Sequence, residues 1–75
     1  MSALSKRLVA LRKVRGLSQA QVAKAVHVAP RAYQNYEYDE AEPRLSTLIR
    51  LADFYQVPLD DLVGRPFPLL KPSAD

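Results

Sequence analysis

Apolar residues recur at helical spacing in five stretches of this chain, and nowhere do they alternate with the period of a strand. Leu4, Leu8, Leu11 and Val14 (or the stem of Arg15) make one stripe, which predicts an amphipathic helix over 4–15. Ser2 or Ser5 is placed to cap it, and Gly16 to close it. Two shorter patterns follow between Leu17 and Glu37, in LSQAQVAKAVHVAPRAYQNYE. Ser18 with Gln21 forms a capping box, and Leu17 with Val22 a hydrophobic staple. Val22, Ala23 and Val26 supply the apolar face. His27 falls where that helix must stop, and is expected to take a positive φ there.

The next helix, expected over 30–37, starts with a weak N-cap, Ala29, but a favourable Pro30 at the first helical position. Val28 and Tyr33 form a second staple. At about 100° per residue, Tyr33, Tyr36 and Glu37 share one face, while Arg31, Gln34, Asn35 and Tyr38 share the opposite one. Two short helices joined by a tight turn, the second with a polar outer face, make a helix-turn-helix. The outer face also carries the right chemistry: Arg pairs with guanine, and Asn or Gln with adenine, in the major groove.

Tyr38 to Pro43 reads as a linker in which Asp39 tolerates a left-handed turn. Leu45, Leu48, Ile49, Ala52 and Tyr55 predict a helix over 45–56, with Arg44 at an unfavourable N-cap and Val57-Pro58 ending it. A last short helix spans Leu59 to Val63, closed by Gly64. Asp60 and Asp61 sit in its first turn, where the helix dipole favours acids; as sequence neighbours they point apart, which argues against paired acid–base chemistry. The chain is thus all-α with five helices, as one domain over 1–64 and a proline-rich tail over 65–75. The tail cannot extend a helix. Its Phe67, Leu69 and Leu70 are expected either to stay loose or to pack on the core or at a dimer interface. Arg12, beside the first stripe, and Glu37, facing inward, are expected to meet as a partly buried ion pair.

Composition narrows the function. With no cysteine and one histidine, neither a thiolate metal site nor a His-paired nucleophile has its residues. No catalytic constellation, metal or cofactor is expected. No apolar run reaches the length of a membrane span, and the N-terminus is too charged for a signal peptide. A reducing cytoplasm is the simplest location. Net charge is +3, but unevenly placed: residues 1–36 hold seven bases and no acid, and residues 37–75 hold four bases and eight acids. A basic half that contains the helix-turn-helix is the footprint expected of a phosphate-binding face.

Gly16-Leu17-Ser18-Gln19, Val22-Ala23, Tyr33-x-x-Tyr36-Glu37, Pro43, Leu48, Leu51-Ala52, Val57 and Leu59-Asp60-x-Leu62 stand in one register. That set resembles the Cro/repressor-type (lambda repressor-like, Xre) helix-turn-helix family over about Leu8 to Gly64. The resemblance implies a five-helix lambda repressor-like domain that reads double-stranded DNA. It implies base contacts from Pro30, Arg31 and Asn35, with Gln34 beside them, and a Gln19 that contacts phosphate and braces the reading helix. It extends backbone contacts to Ser18 and Arg44, and family members carry a pair like Arg12 with Glu37. Lys13 and Lys24 are expected to meet phosphates as well. Three departures stand out: His27 in place of the usual turn glycine, Ala29-Pro30 in place of polar residues, and the acids Asp39, Glu40 and Glu42 in a loop that often lies near DNA.

Two readings follow. The first is a transcriptional regulator, most simply a repressor, that binds a palindromic operator as a homodimer. Its dimer interface is expected from Leu59, Leu62, Val63, Phe67 and Leu69. The second is an antitoxin or adaptor whose acidic loop and apolar tail hold a protein partner, a toxin or another regulator. No second domain offers a small-molecule site, so no ligand is expected. Met1 and the compact layout favour a whole protein.

Overall fold

The computed structural model describes residues 2–64, and Phe67 and Leu69 lie outside the described residues. Five helices follow in order: α1 (Ala3–Val14), α2 (Gln19–Ala25), α3 (Pro30–Glu37), α4 (Leu45–Tyr55) and α5 (Leu59–Val63). No strand is present among the described residues.

Local signals set the starts. Ser2 caps α1, its Oγ accepting the Ser5 N–H at 3.1 Å. At α2 the capping box is complete: Ser18 Oγ accepts the Gln21 N–H at 3.1 Å, and Gln21 Oε1 accepts the Ser18 N–H at 2.8 Å. Ala29, Arg44 and Pro58 precede α3, α4 and α5 without a side-chain cap.

One device closes the first four helices. In each, the residue after the last turn has positive φ, and the next N–H reaches back to a carbonyl inside the helix, the Schellman arrangement. Leu17 bonds Arg12 beyond Gly16, Val28 bonds Ala23 beyond His27, Glu40 bonds Asn35 beyond Asp39, and Val57 bonds Ala52 beyond Gln56. His27 (φ 62°) and Asp39 (φ 65°) behave as the sequence suggests. Gln56 (φ 57°) is an addition: glutamine carries no left-handed preference, and the bond that its neighbour Val57 makes to Ala52 holds it there.

The core joins all five elements through Leu8, Val22, Ala23, Val26, Tyr33, Leu51, Ala52, Tyr55 and Leu62. Of the two candidates for the last place on the α1 stripe, Val14 is 86% exposed and Arg15 fills it, its guanidinium 5.5 Å over the Tyr55 ring. On α4 the buried line is Thr47, Leu51, Ala52 and Tyr55, so Leu45 and Ile49 face outward. At the far end Gly64 (φ 80°) backs directly onto Ala3, where any Cβ would overlap the alanine methyl. Arg7 pairs with Asp61 and ties α1 to α5.

Candidate nucleic-acid interface

Helix α3 is gripped from behind. Glu37, at the last turn of α3, is almost wholly buried, and its carboxylate accepts hydrogen bonds from Arg12 and Gln19. Arg12 on α1 forks onto it, Nε donating to Oε2 at 2.7 Å and Nη2 to Oε1 at 3.0 Å. Arg12 Nη1 also donates to the Leu17 carbonyl at 3.0 Å, which fixes the turn into α2. Gln19, the first residue of α2, donates Nε2 to Glu37 Oε1 at 3.0 Å. One carboxylate therefore locks α1, α2 and α3 together. Burial pushes its pKa up, but the hydrogen bonds from Arg12, Tyr33 and Gln19 outweigh that and hold it below the usual glutamate value of 4.5. The bond to Glu37 likewise raises Arg12 against its own partial burial.

Tyr33 completes the inward face. Its ring is fully buried, meets Tyr36 edge-on with centroids 6.4 Å apart, and its hydroxyl lies 3.4 Å from that of Tyr55. Burial raises both phenols above their ordinary pKa, so both stay neutral hydrogen-bonding groups.

The outward face is free of such ties. Pro30 and Arg31 are exposed, and Gln34 and Asn35 are half-buried. Arg31, Gln34 and Asn35 lie one turn apart on α3, so the helix brings the three base-reading candidates together. Lys13, Ser18 and Gln19 gather around an open depression of about 520 Å³ at the start of α2, with Arg12 and Glu37 at its base. Ser18 Oγ is already engaged as the cap of α2. Lys24 and Arg44 are exposed but do not line that depression.

The basic half is less available than its charge suggests. Arg7, Arg12 and Arg15 are all turned to internal partners: Asp61, Glu37, and the Phe54 and Tyr55 carbonyls at 3.3 and 2.7 Å. Arg50 does the same for α2, donating to the Val26 carbonyl at 2.8 Å. Sequence reasoning missed Arg15 and Arg50 as caps, because each meets a helix end far away along the chain. Lys6, Lys13, Lys24 and Arg31 remain exposed in the first 36 residues.

One expected dimer residue needs correcting. Leu62 is fully buried within its own chain, where it anchors α5 to the core, so it offers no surface. Leu59 and Val63 are half-buried.

A tight turn through left-handed His27, a clamped inner face and an open polar outer face are the parts of a helix-turn-helix. The family model described as helix-turn-helix matches residues 8–62. The chain belongs to the helix-turn-helix family. Among curated proteins, it is 32% identical over 62 residues to the cryptic phage CTXphi transcriptional repressor RstR of Vibrio cholerae, covering 83% of this chain and 55% of that one. It is 34% identical over 62 residues to the helix-turn-helix transcriptional regulator ImmR of Bacillus subtilis, covering 83% of this chain and 49% of that one. The chain thus spans about half the length of these relatives. Among solved structures, a transcriptional regulator from Listeria innocua superposes with a TM-score of 0.80 at 30% identity, covering 92% of this chain and 64% of that one. The SOS-response transcriptional repressor LexA of Eubacterium rectale superposes at 0.78 with 21% identity, covering 96% and 77%, which speaks to the fold alone. The fold is the all-α, five-helix lambda repressor-like one. No helix among the described residues is long and apolar enough to cross a membrane.

Proposed function

We propose that this helix-turn-helix chain is a sequence-specific transcriptional repressor that binds a palindromic operator as a symmetric dimer through α3. The observation that carries this is the division of α3 into two faces. Tyr33 and Glu37 hold the helix, while Arg31, Gln34 and Asn35 point away from the core. Arg31 reads guanine, and Gln34 and Asn35 read adenine, with Pro30 against a thymine methyl. Lys13, Lys24 and Arg44, with Ser18 and Gln19 at the start of α2, meet phosphates and set the register. Regulators of this size make few base contacts, so two copies on half-sites about one helical turn apart supply affinity and specificity. The dimer surface is the outer edge of α5, Leu59 and Val63, with Phe67 and Leu69 of the tail. Relatives named as transcriptional repressor and regulator support the regulatory reading.

The test is a gel shift on DNA flanking the gene, against a random duplex, at about 150 mM salt, where phosphate contacts alone are weakened. A complex retained on the flank only is the expected result. Equal, salt-sensitive binding to both duplexes would overturn sequence-specific reading.

A further inference from the structure

We propose that the tail of each copy seats in an apolar groove of the other copy, so that the dimer is joined by exchanged C-terminal arms. This rests on the dimer reading above and adds how the dimer is built.

The groove is a cavity of about 310 Å³ between the start of α1, the end of α3, the loop after it, α4 and the end of α5. Leu4, Tyr36, Leu48 and Val63 give it apolar walls, and Asp39 and Glu42 line it as well, Asp39 Oδ2 accepting the Ser2 N–H at 3.0 Å. It lies on the inward side of α3, away from Arg31, so an occupant leaves the base-reading face free.

The tail has matching chemistry. It carries Phe67 and Leu69 as apolar anchors and Arg65 and Lys71 as bases, complementary in charge to the acids that line the groove. It also starts at the right place: Val63 lines the groove, and Gly64 abuts Ala3, another lining residue. Area makes the occupant a second copy. A specific dimer buries at least about 1,200 Å², and the half-buried Leu59 and Val63 offer too little alone. Two exchanged arms, each laid in a groove, supply the remainder.

Two measurements on the full chain test this. Sedimentation equilibrium compares the wild type with the double variant Phe67→Ser/Leu69→Ser. The dissociation constant of the dimer is expected to rise at least about a hundredfold, which is about 2.7 kcal/mol. In dimers mixed from labelled and unlabelled chains, nuclear Overhauser contacts between the Phe67 ring and the Leu48 and Val63 methyls are expected between chains. A variant that dimerises with wild-type affinity, or contacts found only within one chain, overturns arm exchange while the dimer stands. A wild type that is monomeric at every concentration overturns the dimer itself, and this inference with it.

Discussion

Replacing Glu37 by glutamine removes one charge and almost no volume, and should cost more stability than any surface change in the chain. Glu37 is 1% exposed and Arg12 16%, so water cannot take over when the carboxylate goes. The variant leaves a guanidinium facing an amide, with one acceptor for two Arg12 donors and the Gln19 amide. Breaking one partner of a buried pair costs about 3–5 kcal/mol. A domain of this size holds only about 4–11 kcal/mol in total. The loss is therefore about a quarter or more of the whole, and the melting temperature should fall by more than about 10 °C. Thermal and urea unfolding followed by circular dichroism measure this directly. A companion variant, Arg12→Met/Glu37→Leu, should regain most of the loss, since apolar replacement of both partners removes the stranded charge. A Glu37→Gln cost under about 1 kcal/mol, the value of an exposed pair, would refute the clamp as described.

The same carboxylate predicts a pH dependence. Its folded pKa lies below the ordinary 4.5, so it contributes stability that is present above that value and lost as pH falls through the folded one. Urea midpoints of the wild type should drop on acidification below about 4.5, and those of Glu37→Gln should drop less. His27→Gly should raise stability by about 1 kcal/mol, because glycine removes the left-handed strain at φ 62°; His27→Val should lower it in the same melting assay. Gly64→Ala should destabilise by at least about 1 kcal/mol, since it adds a methyl against Ala3 at φ 80°, and unchanged melting would mean that α5 can shift freely. On DNA, Arg31→Ala should cost about 1–3 kcal/mol at one base position and relax preference there, whereas Lys13→Ala or Lys24→Ala should weaken all sequences alike and reduce the salt slope by about one. Arg50→Met should leave that slope unchanged and lower stability by about 1.5–3 kcal/mol, because its charge is spent on the Val26 carbonyl.

What the sequence makes legible is local or encoded by residue type. The Ser18–Gln21 box, the left-handed His27 and Asp39, and the two faces of α3 follow from neighbours within one or two turns. The Arg12 and Glu37 pair spans 25 residues and is still foreseeable, because a charge on an inward stripe demands a partner. The remainder depends on which helix end meets which side chain. Nothing near Arg15 announces that it crowns α4, nor near Arg50 that it crowns α2. The count of bases therefore overstates the charge left for phosphates. Leu62 shows the same gap: on a five-residue helix, an apolar residue looks the same whether it faces its own core or a partner.

The two-faced α3 has a consequence for how such a chain can change. Arg31, Gln34 and Asn35 make no side-chain hydrogen bond within the chain among the described residues, while their neighbours Tyr33 and Glu37 make several. If α3 reads DNA as proposed, substitutions at the exposed Arg31 should change the preferred sequence while leaving the melting temperature close to that of the wild type. A lineage built on this scaffold can drift through many operators while keeping one fold, and a designer can graft a new outer face onto α3 and leave the clamp in place.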